Sequence, residues 1–316
     1  MAEDTRLTLQ EVFDPNYYRA NNPDLAKLSD VEAIFHFQLY GLNEINTNPN
    51  RGKFSPFLDL SYYRANNTDI VPTSFLNSQV LQQIFDVGIA EGRPISPYVD
   101  LSIYRANNQD LAGFDNNQLF RHIINSGVDE GRRFSPLYDA SFYRQSNPDL
   151  ARLSNRQLWE HFLNFALPEG RTFFQFFDVQ FYKDSNTDLQ DTTQLGPNAT
   201  NTDYFNHFLN TGLGEGRKFS PYFDVDYYLN NNADLSRAFG FNAINATAAT
   251  QARARQLAFQ HFQRSGLDEG RRFSRDFDVN YYLANEPDLR AAGLNRRQAV
   301  SHFINFGLNE GRRASL

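Results

Sequence analysis

The chain has 316 residues and contains no cysteine. Disulfide bonds and cysteine-based metal sites are therefore excluded, although this absence does not fix the cellular compartment. Methionine and tryptophan occur once each. No apolar run approaches the length of about 18 residues that a membrane-spanning helix needs. We therefore expect no membrane span.

Sequence motifs that carry catalysis are also missing. The chain has no Gly-x-Ser-x-Gly nucleophile elbow, no phosphate-binding loop and no dinucleotide-binding loop. Its net charge is −7, and its arginines are spread along the chain, which argues against a nucleic-acid partner. The first ten residues lack the apolar core of a signal peptide, which predicts a cytoplasmic protein. We expect a protein that is not an enzyme and has no catalytic residues, cofactor or metal site.

Aromatic residues, by contrast, are abundant, with 30 Phe and 16 Tyr in a repeated pattern. An aspartate followed closely by a pair of residues, almost always aromatic, opens each of seven repeats, and successive aspartates are 39 to 54 residues apart. The opening residues are Asp14, Asp59, Asp100, Asp139, Asp178, Asp224 and Asp278. Repeats of this length are typical of two-helix arrays. The sequence predicts an all-α array of seven two-helix repeats over residues 14–316, solenoid-like or a compact curved stack, after a lead at 1–13.

The sixth repeat shows the order of the local signals. Asp224 is a suitable N-cap for a first helix, and Asn232 begins the Asn-x-Asp-Leu segment that ends it. A second helix then runs to Gly266, which is the expected left-handed residue after a helix end. Repeat four has Ala166 at this glycine position. Aromatic residues at the same place in every repeat predict a continuous core between neighbouring repeats.

All six histidines occupy one position, five residues before this glycine or alanine, and the second repeat has Gln83 there. The histidines are His36, His122, His161, His207, His261 and His302. They could form a row of metal or tetrapyrrole ligands, or each could hydrogen-bond a carbonyl or carboxylate of its own repeat. Gln83 favours the structural interpretation, because glutamine imitates the hydrogen bond but is a poor metal ligand.

The Glu-Gly-Arg motif near the end of each repeat also allows two interpretations. It could bind an anion, or its arginine could join two repeats by reaching the opening aspartate or a glutamate of a neighbour. Recurrence at every junction favours the joining role. The repeated aspartates could suggest calcium, but helix capping explains their positions and no EF-hand pattern is present.

Three insertions interrupt the regular pattern, at 45–50 in repeat one, 190–201 in repeat five and 236–256 in repeat six. Insertions in repeat arrays map to loops that often carry recognition, although neutral drift in exposed loops gives the same pattern. The Ala-rich stretch Ala246–Ala258 is expected to extend the second helix of repeat six. We expect protein partners to bind these loops and the ends of the array.

The full motif resembles a bacterial, often cyanobacterial, repeat of about 40–50 residues. The best matches are Phe277–Leu289 with His302–Arg312, and Phe13–Leu25 with His36 and Phe37. Such repeats occur in large proteins that also carry hemolysin-type calcium-binding segments or glycan-related domains, so the resemblance implies an accessory role. We expect a non-catalytic scaffold or linker in a larger assembly, with a cyanobacterial light-harvesting assembly as one version. The alternatives are a calcium- or glycan-binding surface module and a metal or tetrapyrrole carrier.

Overall fold

The computed structural model describes residues 5–315. Within that range the chain is built from helices, with isolated bridges between Ser96 and Val99 and between Phe174 and Phe177 as the sole β-type pairing. The all-α repeat array predicted from the sequence is confirmed. Residues 1–4 of the expected lead and residue 316 at the end of the array lie outside the described range. No helix among the described residues is both long and apolar enough to cross a bilayer.

Each repeat contains a short first helix followed by a second helix. In chain order these pairs are α1 (Pro15–Asn21) and α2 (Asp30–His36), α3 (Leu60–Asn66) and α4 (Asn77–Gln83), α5 (Leu101–Asn107) and α6 (Asn116–His122), α7 (Ala140–Ser146) and α8 (Asn155–His161), α9 (Val179–Ser185) and α10 (Asn201–His207), α11 (Val225–Asn231) and α12 (Ala248–His261), and α13 (Val279–Asn285) and α14 (Arg296–His302). Helix α12 is the longest, which confirms that the Ala-rich insertion lengthens the second helix of repeat six.

Every second helix continues directly into a π-helical segment of five residues. These segments are Phe37–Gly41, Ile84–Gly88, Ile123–Gly127, Phe162–Ala166, Phe208–Gly212, Phe262–Gly266 and Phe303–Gly307. Short α-helical pieces lie at Leu9–Val12, Leu42–Glu44, Leu213–Glu215, Ala233–Ala238 and Pro287–Ala291, and 3₁₀ turns at Pro23–Leu25, Pro49–Gly52, Gln109–Leu111, Pro148–Leu150 and Thr187–Gln190. π-helical turns are rare in proteins, so seven in register indicate a shared cause.

The opening aspartate connects the two ends of its repeat. The Asp224 side chain accepts a hydrogen bond from the Tyr227 backbone N–H, which confirms the predicted cap. The Asp224 backbone N–H donates to the Phe273 carbonyl at the end of the same repeat. The same closing bond joins Asp14 to Phe54, Asp59 to Ile95, Asp100 to Phe134, Asp178 to Phe219 and Asp278 to Ala314. Each of these repeats is therefore closed on itself by backbone hydrogen bonding.

The chain divides into two compact units. One contains the chain up to Ala140 together with Ser154–Arg156, and the other contains Ser141–Leu153 and the chain from Gln157 onward. Each unit has its own aromatic core. In the first, the Phe57 ring lies 6.5 Å from Phe120 of repeat three; in the second, Phe223 lies 4.4 Å from Phe262.

A side chain at the start of each later second helix joins its repeat to the preceding one. The Asn201 amide, for example, donates to the Leu167 carbonyl at 2.8 Å. The other such bonds run from Asn77 to Leu42, Asn116 to Ala90, Asn155 to Asp129, Arg255 to Gly214 and Arg296 to Asp268. The accepting carbonyl always lies just after the π-helical segment. This contact is the recurring hydrogen bond between successive repeats.

Candidate functional site

The conserved position of the histidines within the repeat is explained by a hydrogen bond to a buried tyrosine. In six repeats the tyrosine hydroxyl lies 2.7 to 3.1 Å from the histidine Nδ1. The pairs are Tyr18 with His36, Tyr104 with His122, Tyr143 with His161, Tyr182 with His207, Tyr228 with His261, and Tyr282 with His302. In repeat two the Tyr63 hydroxyl donates to the Gln83 Oε1.

This substitution assigns the direction of the hydrogen bond. A glutamine Oε1 accepts and never donates, so Tyr63 is the donor to Gln83. By the same geometry, Tyr228 donates to His261, and the imidazole proton resides on Nε2. The expected structural role of the histidines is therefore confirmed. The expected partner is wrong, because a tyrosine hydroxyl of the same repeat takes the place of a carbonyl or carboxylate.

The tyrosine also explains the glycine and corrects the prediction made for it. Gly41 lies in the helix at φ −54°, not in the left-handed region. A Cβ built on Gly41 would lie 2.6 Å from the Tyr18 hydroxyl oxygen, which is closer than real contacts allow. The π-helical turn brings His36 and Gly41, five residues apart, to the same side of the helix facing that hydroxyl. The glycine is therefore required by close approach rather than by helix termination.

The same correction holds at Gly88, Gly127, Gly212, Gly266 and Gly307, none of which has a positive φ. The left-handed residue is instead the glycine of the Glu-Gly-Arg motif, such as Gly216 at φ 74°. In repeat four, Ala166 is fully buried and the hydrogen bond between Tyr143 and His161 is retained at 2.8 Å. The alanine is thus accommodated without loss of the pair, as the sequence predicts.

The arginine of the Glu-Gly-Arg motif closes its own repeat. In repeat five, Arg217 contacts Glu215 at 2.5 Å, Asp188 at 2.8 Å and Asn186 at 3.4 Å. The Asn186 amide in turn donates to the Tyr182 carbonyl. The prediction that this arginine joins neighbouring repeats is wrong, because its carboxylate partners lie within the same repeat. The asparagine or arginine at the start of the next second helix makes that connection instead.

The arginine network recurs in the other repeats, centred on Arg51, Arg93, Arg132, Arg171, Arg271 and Arg312. The insertion in repeat one does not disturb it, since Arg51 still reaches Asp24 at 2.6 Å and Glu44 at 2.7 Å. The guanidinium groups are therefore held by two carboxylates each. This geometry favours the structural interpretation of the motif over an anion site.

The electrostatics of the network keep its central pair neutral. Burial raises the pKa of Tyr18 to about 12 and lowers the pKa values of His207 and His261 below their usual range. The hydrogen bond from Arg271 lowers the pKa of Asp234. Each repeat thus combines an uncharged Tyr–His pair with an ionised arginine–carboxylate cluster.

Acidification is expected to destabilise the fold in two stages. The lowered pKa values of His207 and His261 mean that the unfolded chain binds more protons, so their contribution is complete above pH 6.5 and falls below it. Carboxylates with lowered pKa values, such as Asp234, add a second loss below about pH 4. Melting temperatures measured between pH 8 and pH 3 should show both stages.

The matched control for the first stage is the double variant His207→Gln and His261→Gln, because Gln83 fills this position naturally. We expect this variant to show a smaller decrease in melting temperature between pH 7 and pH 5. An unchanged decrease would mean that other groups cause the loss.

The exposed surface differs among the three predicted recognition loops. In repeat one the insertion is anchored, since Ile45 is buried and the Thr47 hydroxyl donates to the Glu44 carbonyl. In repeat six Ile244 is fully exposed. In repeat five the Asp191 side chain accepts hydrogen bonds from Thr193. The loops alone therefore offer one exposed large apolar side chain in the described range.

A larger apolar surface lies on the second helix of repeat one, and the sequence reasoning missed it. Val31, Phe35 and Leu39 are 62%, 55% and 62% exposed, and Tyr40 beside them is also more than half exposed. Their spacing of four residues places the first three in one row along the helix. We call these four residues the α2 row. The signal was available, because the other repeats place polar residues where Phe35 stands.

A half-open groove of about 450 Å³ lies in the same unit, between residues 6–9 and the second helices of repeats one and two. Its apolar lining includes Leu42, Leu81 and Phe85. An ion pair of 3.2 Å between Arg6 and Asp86 stands at its polar rim. An apolar floor with a polar rim is the usual form of a recognition groove.

Within residues 5–315, no three side chains of the metal-binding types His, Asp or Glu are grouped so that they could hold a metal ion. No protein-family model matches the chain, and no curated protein or solved structure matches it either.

Proposed function

We propose that the chain is a non-catalytic helical-repeat scaffold, a linker that binds protein partners within a larger assembly. The observation that carries the proposal is the α2 row, which exposes four large apolar side chains on one helix. Soluble proteins seldom leave such groups together in water, and contiguous apolar patches mark interaction sites. The chemistry-bearing side chains support the same proposal, because Tyr, His, Arg and Asp are used within each repeat.

Comparison within the chain strengthens the argument. The positions equivalent to Phe35 carry Gln82, Arg121, Glu160, Asn206, Gln260 and Ser301. None of these is apolar, so the apolar character is specific to the first repeat. No packing need inside the fold explains it, since Phe35 and Val31 remain exposed. A partner that covers the row supplies the missing burial, at about 25 cal/mol for each Å² of apolar surface removed from water.

Affinity capture tests the proposal. The tagged chain is incubated with a lysate of the cells that produce it, beside the variants Phe35→Glu and Ile244→Glu, and the retained proteins are quantified by mass spectrometry with an absorbance spectrum of the eluate. We expect a stoichiometric set of proteins that Phe35→Glu loses and Ile244→Glu retains, because Ile244 is an exposed apolar residue outside the row. Equal retention by all three chains, or a bait that carries a chromophore and no protein, would refute the scaffold proposal.

A further inference from the structure

The contact between successive repeats has two halves that recur along the chain. The earlier repeat supplies an apolar residue just after its π-helical segment and the glycine of its Glu-Gly-Arg motif. The later repeat supplies the start of its second helix. In repeats four and five, Gly170 lies next to the Asn201 amide, which donates to the Leu167 carbonyl.

The last repeat leaves its half of this contact open. Leu308 is 46% exposed, whereas the equivalent Ile89 and Leu267 are fully buried by the repeats that follow them. Gly311 has no atom within 4 Å of a Cβ built on it, whereas the equivalent Gly131 lies close to the Asn155 amide. Repeat seven therefore presents the surface on which a following repeat would sit.

The first repeat leaves the opposite half open. In repeats two and three, the residues equivalent to the α2 row meet the N-terminal segment, through Arg6 with Asp86 and Glu11 with Arg121. In repeat seven the equivalent Asn305 accepts a hydrogen bond from the Ser146 hydroxyl of repeat four. In repeat one, Val31, Phe35 and Leu39 face solvent.

We infer that the occupant of both open halves is a second copy of this chain, docked head to tail. Repeat seven of one copy meets the second helix of repeat one in the next copy, so that Leu308 packs against Val31. This inference rests on the proposed scaffold function and names its partner. The docking continues a contact that the chain already makes between its own repeats, which is why a copy of this chain fits better than an unrelated protein.

The polar residues at the two ends are also complementary. Inside the chain, Arg297 at the start of a second helix lies 3.5 Å from Asp268 of the preceding repeat. At the ends, Asn309 stands at the position of Asp268, and the exposed acid Asp30 begins the second helix of repeat one. The donor and the acceptor have exchanged sides, so the Asn309 amide can donate to the Asp30 carboxylate. Two acids would have repelled each other there.

Head-to-tail docking uses two different surfaces, and this makes it testable by complementation. The variants Val31→Glu and Leu308→Glu each block one surface and leave the other intact. Both side chains are exposed, so we expect melting temperatures within a few degrees of the wild type. In sedimentation velocity the wild type should form concentration-dependent oligomers, each variant alone should be monomeric, and an equimolar mixture should form a heterodimer and nothing larger.

A cross-linking experiment uses the absence of native cysteines. Val31→Cys and Leu308→Cys chains, mixed and treated with a short bismaleimide, should give a mixed dimer, and neither chain alone should give a comparable yield. Ile244→Cys mixed with Leu308→Cys is the control and should remain uncross-linked.

A wild-type chain that stays monomeric at the highest soluble concentration would overturn the inference. Oligomers that Leu308→Glu retains and Val31→Glu loses would also overturn it, since they would show two α2 rows facing each other. If the chain is monomeric but captures other proteins through Phe35, the scaffold proposal stands and self-association alone fails.

Discussion

Replacing Phe223 by alanine should lower the free energy of unfolding by about 3–5 kcal/mol, the usual cost of deleting a buried phenylalanine. Phe223 is 3% exposed and lies at the centre of the aromatic core of the second unit. Its ring is 4.4 Å from Phe262, 5.5 Å from Phe259 and 5.8 Å from Phe219. Truncation removes contacts to three repeat segments at once, and urea denaturation of the whole chain measures the loss.

The matched control is Phe165→Ala in the same unit. Phe165 is 51% exposed, so its truncation should change the free energy of unfolding by about 0.5 kcal/mol or less. Similar losses for the two variants would contradict the assignment of Phe223 to the core.

Replacing Gly266 by alanine should lower the free energy of unfolding by about 1–2 kcal/mol, although alanine is the better helix former. Helix propensity alone would stabilise the variant by about 0.5–1 kcal/mol. The added Cβ, however, would collide with the Tyr228 hydroxyl and lie 3.2 Å from the His261 Nδ1. Overpacking of this kind costs about 1–3 kcal/mol, so the close approach decides the sign.

A double-mutant cycle isolates this collision. In a Tyr228→Phe background the hydroxyl is gone, so Gly266→Ala should cost less, with a coupling of at least about 0.5 kcal/mol. The opposite substitution, Ala166→Gly in repeat four, should destabilise through helix propensity alone, because Tyr143 and His161 already accommodate the alanine. Stabilisation by Gly266→Ala would show that the glycine is not required by the tyrosine.

The repeat arrangement concentrates specificity at the ends and on the surface. Inside each repeat the network of Tyr, His, Arg, Glu, Asp and Asn satisfies its own members, so its energy goes into holding two helices together. The features that differ between repeats are the α2 row, the groove beside it and the open contact at Leu308. For that reason the proposed binding function rests on these surfaces.

Much of the architecture followed from the sequence. The capping aspartates, the recurring aromatic pairs and the apolar periodicity of the second helices report local hydrogen bonding and amphipathicity, which depend on residues a few positions apart. Gln83 in the histidine position identified the structural role of that position, because glutamine keeps the hydrogen-bonding geometry. The long helix α12 followed from its alanines for the same local reason.

Contacts across variable distances could not be derived in this way. Tyr18 and His36 are 18 residues apart, whereas Tyr228 and His261 are 33 apart, yet both pairs make the same hydrogen bond. No fixed spacing reveals a contact that survives insertions. The π-helical turn escaped for a related reason, since it is shaped by the tyrosine hydroxyl that reaches Gly41 from the other helix.

The sequence by itself determined seven repeats, their two-helix form and the structural role of the histidines, because these depend on local propensity and on a pattern repeated in one chain. Only the tertiary structure decided which side chains meet, that Arg217 closes its own repeat, and that the row around Val31 and Phe35 is left exposed. The physical reason is that exposure and pairing depend on what packs beside a residue. At the first and last repeats, one of those neighbours within the chain is missing.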